Sequence, residues 1–74
     1  VTELPMWVVY DHPSDYPEHY VARQHIVGID GEEPTDRMMA SFTLDSIRTE
    51  LADLGLICVT RSEGDDPVIV ETWL

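Results

Sequence analysis

The stretch Phe42–Leu56, FTLDSIRTELADLGL, decides the fold. Thr43 is a helix N-cap, because its hydroxyl can accept a bond from a free first-turn N–H. Phe42 and Ile47 stand at the two ends of a hydrophobic staple. Asp45 puts a negative charge at the positive end of the helix dipole. Leu44, Ile47, Leu51 and Leu54 share one face, and Ala52 widens that stripe. Gly55 supplies a left-handed stop, after which Leu56 can fold back on Leu51. Arg48, Thr49, Glu50 and Asp53 fall on the outer surface. A helix of about three turns is marginal alone in water, so the flanking segments must supply a surface for it.

Upstream, Met6–Tyr10 (MWVVY) is a β-branched and aromatic run, apolar on both parities. It reads as an inner strand covered on both sides, or as one with an interface on its second face. Asp11–Glu18 is a loop, set by Pro13 and Pro17. Its Tyr16–Pro17 bond is a candidate for cis, with trans the default. His19–Ile29 alternates and predicts a second strand, antiparallel to the first. Asp30–Asp36, DGEEPTD, reads as an acidic turn or mobile loop. The RMMA of Arg37–Ser41 can form a short third strand. Downstream, Leu56–Arg61 is a strand, Ser62–Asp66 a turn, and Val68–Leu74 the last strand. The expected architecture is α+β, in the order β-β-(β)-α-β-β. One antiparallel sheet of four to five strands carries one helix on one face. The opposite face is then wet, or covered by a second copy or a partner.

The chain has 74 residues, enough for a single small domain spanning 1–74 with a thin stability margin. Fifteen acids against four bases give a formal net charge of −11, which disfavours direct contact with nucleic acid or an anionic membrane. It favours attraction to a protein with a basic surface. All four bases are arginine, and lysine and asparagine are absent, a composition that fits a GC-rich genome. The opening VTELPMWVVY lacks the basic start and long apolar run of a signal peptide, and nothing approaches a membrane span. A cytoplasmic location is expected. Cys58, the lone cysteine, leaves no intrachain disulfide and reads as a buried small apolar residue.

Two constellations bear on function. Asp11, His12, Asp15, Glu18 and His19, with His25 beyond, are residue types that ligate divalent metals. No His-x-x-x-His spacing fixes two of them on one face, and a solvated turn accounts for them better. No nucleophile elbow, phosphate loop or zinc signature is present, so no catalytic residue, metal or cofactor is assigned. The second constellation is the acidity. Glu18, Asp30, Glu32, Glu33 and Asp36 crowd the first half. Glu63, Asp65 and Asp66 crowd the last turn, and Asp45, Glu50 and Asp53 line the outer side of the helix. Carboxylates held on a small scaffold can imitate a row of phosphates and occupy a basic groove.

The opening MWVVYDHPSDYP and the ending DDPVIVETWL resemble short uncharacterised acidic proteins of GC-rich proteobacteria and their phages. In size and acidity the chain is also similar to phage anti-CRISPR and other anti-defence inhibitors, with no shared motif. That likeness implies steric or charge-mimic blocking of a nucleic-acid-binding complex. The expectation is therefore a non-enzymatic acidic module that binds a basic partner. The alternatives are a small self-associating accessory domain, a homodimer through the sheet edge or the open sheet face, and a metal-dependent enzyme or sensor using His12 and His19.

Overall fold

The computed structural model describes residues 4–60 and 68–74. Strands β1 (Leu4–Asp11), β2 (Tyr20–Gly28) and β3 (Gly31–Ser41) form a meander. Helix α1 (Leu44–Asp53) follows, then β4 (Cys58–Thr60) and β5 (Ile69–Trp73). The five strands lie in the order β3-β2-β1-β5-β4, with every pair antiparallel. The expected α+β sheet with one helix on one face is what forms. β1 is the central strand, as its unbroken apolar run implied, and Trp7, Val8 and Val9 are all buried.

The helix sits where its caps place it. Thr43 Oγ1 accepts from the Ser46 N–H at 3.3 Å. At the other end the Gly55 N–H bonds the Ala52 carbonyl at 2.9 Å and the Leu56 N–H bonds Leu51 at 3.3 Å. This paired closure requires the left-handed Gly55, whose φ is +82°. A Cβ added there meets nothing within 4 Å, so any penalty is conformational alone. Gly55→Ala is expected to cost about 1 kcal/mol in chemical denaturation, with the helix otherwise intact.

Ile47 and Leu51 enter the core with Trp7, Val9, Ala22 and Trp73, and Tyr20, Met39, Leu44 and Leu56 pack around them. The stripe is narrower than its periodicity suggests. Ala52 is exposed, and Leu54, at the helix end, is half exposed at the rim of a cleft. The Phe42–Ile47 staple does not form. Phe42 is 71% exposed, and its ring lies 4.4 Å from that of His19 instead.

Three further corrections concern the strands and Cys58. Most of the expected Asp30–Asp36 loop is strand: Gly28 pairs with Gly31, leaving Ile29 and Asp30 as a two-residue turn. Edge position explains this, because β3 can carry Glu32, Glu33 and Pro34 with its outer side in water. Second, β1 and β3 are longer than the sequence suggests, and β4 begins two residues later, at Cys58. Arg61 and the Ser62–Asp66 turn lie outside the described residues. Third, Cys58 is exposed rather than buried, because the helix packs over β2 and β3 and leaves the β4 edge uncovered. Tyr16–Pro17 takes the default trans form, and no described peptide bond is cis.

Two register breaks matter for the surface. Opposite β1, Val70 is the extra residue between Ile69 and Glu71, and it turns onto the core. Opposite Gln24, β3 spends the three residues from Thr35 to Arg37 where β2 spends one. Thr35 seals this bulge, donating to Gln24 Oε1 at 3.1 Å and accepting the Arg37 N–H at 3.1 Å. The bulge aims Asp36 and Arg37 toward the helix.

An acidic cleft between the helix and the edge strand

The bulge and the end of α1 together frame an open cleft of about 460 Å3. Trp7, Met38, Met39 and Leu54 form its apolar lining. Asp36 comes from β3, and Glu50 and Asp53 from the helix. Arg37 lies over the Trp7 ring, its guanidinium carbon 6.0 Å from the ring centroid. None of the three carboxylates lies within ion-pair distance of Arg37 or of another described base. The cleft thus offers an aromatic floor, an exposed cation already resting on it, and uncompensated negative charge around it. Among the described residues, no serine, cysteine or histidine lines it. A shallower acidic strip continues along the helix through Asp45, Ser46, Thr49, Glu50 and Asp53.

Of the acids singled out in the sequence, Asp36, Glu50 and Asp53 converge here. The others do not. Glu18 is exposed in the loop before β2, and Asp30 occupies the β2–β3 turn. Glu32 and Glu33 alternate to opposite sides of the β3 edge, opposite Val27 and Ile26. Glu63, Asp65 and Asp66 lie outside the described residues.

The candidate metal-binding stretch is arranged differently. His12 and His19 are joined through the backbone at 3.1 Å across the neck of the loop. The His12 ring packs 4.9 Å from Tyr20 and pairs with Asp11, while the His19 ring lies between Tyr16 and Phe42. Asp15 pairs with Arg23 and folds the loop back over one end of the open sheet face, against Tyr10. Burial pushes the Tyr10 hydroxyl above its ordinary pKa, with Arg23 opposing. Among the described residues, no three His, Cys, Asp or Glu side chains are grouped to hold a metal ion.

Sequence reading missed one ionic network. Arg48, expected on the outer surface, reaches across to Glu71 on β5 through Nε at 3.2 Å to both carboxylate oxygens and Nη2 at 2.7 Å. The Trp73 Nε1–H donates to Glu71 Oε2 at 2.7 Å. Glu71 is only 4% exposed, and burial alone would raise its pKa. The bonds from Arg48 and Trp73 outweigh burial and hold the carboxyl below its ordinary range, while Glu71 in turn raises that of Arg48. The signal was present in VIVETWL: Glu71 and Trp73 are two apart on a strand and share a face, so an acid beside a core tryptophan demanded a cation. Burial, and then the Glu71 charge, raise the Cys58 thiol. That makes it a poor nucleophile at neutral pH.

Among the described residues no helix is long and apolar enough to cross a membrane. No protein-family model matches the sequence, and neither the curated proteins nor the solved structures contain a significant match to it.

Proposed function

We propose that this chain is a non-enzymatic binding module whose acidic helix side docks on a basic protein surface. The convergence of Asp36, Glu50 and Asp53 around the Trp7 floor carries this reading. An arginine or lysine of the partner would displace Arg37, stack on Trp7 and meet the three carboxylates. The strip from Asp45 to Asp53 would extend the contact along the helix, as a row of phosphates extends along a nucleic acid. The likeness in size and charge to phage anti-defence inhibitors supports a nucleic-acid-binding complex as the target, blocked at its basic groove.

Retention of a host protein on the immobilised domain, compared at low and raised salt, tests this. The partner should be held at low salt, carry a basic surface and be released as salt rises. The triple variant Asp36→Asn/Glu50→Gln/Asp53→Asn should lose at least about tenfold in affinity and much of the salt dependence. A partner held equally well by the variant would place the interface elsewhere and defeat the proposal.

A further inference from the structure

The two faces of the sheet differ sharply in charge. Residues pointing away from the helix are fixed by register: Val8 opposes Arg23 and Thr72, Tyr10 opposes Val21 and Ile69, and Thr72 opposes Val59. Beside them, Ile57 and Leu74 are joined by backbone bonds of 2.8 and 3.0 Å. Among the described residues, the β1–β5–β4 side of this face presents Leu4, Met6, Thr72, Leu74, Ile57 and Val59, with Tyr10 toward one end, and none has a side chain charged at neutral pH. That is unusual in a chain of which 26% is charged. Leu4, Leu74, Ile57 and Val59 are all exposed. Two acids border this face on its other side, and each has a base beside it. Asp15 pairs with Arg23, and Glu32 lies 2.9 Å from the His25 ring. The acids of the cleft and helix strip lie on the opposite side of the molecule.

We infer that this open face is the contact between two copies of the chain. Among the described residues, a basic partner finds no side-chain carboxylate on the β1–β5–β4 side to hold it. A second copy presents the same surface, and a two-fold arrangement over the whole face sets its uncharged strip and its Asp15–Arg23 and Glu32–His25 pairs against the partner's while the acidic helices point outward. The area suffices. Five strands about 4.8 Å apart, each contributing about seven residues at ~3.3 Å, give a face on the order of 550 Å2 per copy. A pair then buries roughly 1,100 Å2, just above the size that separates specific interfaces from casual contacts. The sheet edges compete poorly as the contact. β3 is guarded by Glu32, Glu33, Pro34 and its bulge, and among the described residues β4 offers only 3 strand residues.

Each copy carries a formal charge of −11, so repulsion opposes the pair and salt relieves it. Salt therefore strengthens self-association and weakens docking on a basic partner, and the two proposals fail separately. Sedimentation velocity over a concentration series, at low and raised salt, reads this directly. The expected result is a monomer–dimer transition whose midpoint falls as salt rises. The double variant Ile57→Glu/Val59→Glu alters side chains exposed in the monomer, so circular dichroism should show the fold intact. Its midpoint should rise at least about tenfold through like-charge contact across the interface. Phe42→Ser, equally exposed but outside the face, should leave the midpoint unchanged. A chain that is monomeric at every concentration and salt overturns the inference. So does a dimer that tolerates the double variant, or one that Phe42→Ser disrupts as strongly.

Discussion

Leu51→Ala is expected to remove about 3 kcal/mol of stability, measured by urea unfolding at constant m-value. Leu51 is 0% exposed and stands in the cluster of Trp7, Val9, Ala22, Ile47 and Trp73. Truncation there loses both the transfer energy of the side chain and the packing around the void. A domain of this length has a total stability of roughly 4–11 kcal/mol, so the variant should lie near the limit of folding at physiological temperature. Its midpoint should fall by roughly 12–24 °C. Leu54→Ala, three residues along the same nominal stripe, should cost under about 1 kcal/mol, because Leu54 is half exposed and loses little contact. If the two variants were equally damaging, the helix would be seated differently from the arrangement described.

The Arg48–Glu71 pair should carry the next largest effect. Arg48→Ala leaves a buried carboxylate without its cation, bonded by the Trp73 N–H and the Cys58 thiol. A loss of about 2 kcal/mol at neutral pH is expected, below the range for a wholly buried pair because the Arg48 side chain is 47% exposed and screened by water. The pH dependence has a definite sign. The folded-state pKa of Glu71 lies below its ordinary value of 4.5, so the native state favours the carboxylate. Its contribution is fully present above that ordinary value and is lost as pH falls through it toward the folded value. Acid titration of stability should therefore show a component below pH 4.5 that Glu71→Gln removes. An unchanged acid limb in that variant would mean that Glu71 titrates alike in both states.

The helix was legible because its determinants are local. Thr43 and Gly55 act on backbone groups a few residues away, so the letters around them carry the whole instruction. β3 was illegible for the opposite reason. Glu32, Glu33 and Pro34 read as a loop because a polar edge strand and a loop make the same demand on side chains, namely access to water. Only pairing with β2 distinguishes them, and pairing is not local. The same limit explains Phe42, whose ring found His19 across the sheet in place of the neighbouring Ile47. It explains Arg48 too, which looked like a surface residue until Glu71 came beneath it. Charge at the site was plain in the sequence, but its focus was not. Asp36 joins Glu50 and Asp53 through a bulge that no dipeptide announces.

The central strand β1 is sandwiched between β2 and β5, with Trp7 opposite both Gln24 and Trp73. Its first neighbour is made soon after it, and its second only when the residues around Trp73 exist. On the ribosome, β1, β2 and β3 can close into a hairpin pair while one long side of β1 still presents bare N–H and C=O groups. Until β5 emerges, the chain is a nascent sheet with an unguarded edge at its most apolar strand. Its yield in a cell then depends on how quickly synthesis delivers the last strand, or on what shelters that edge meanwhile.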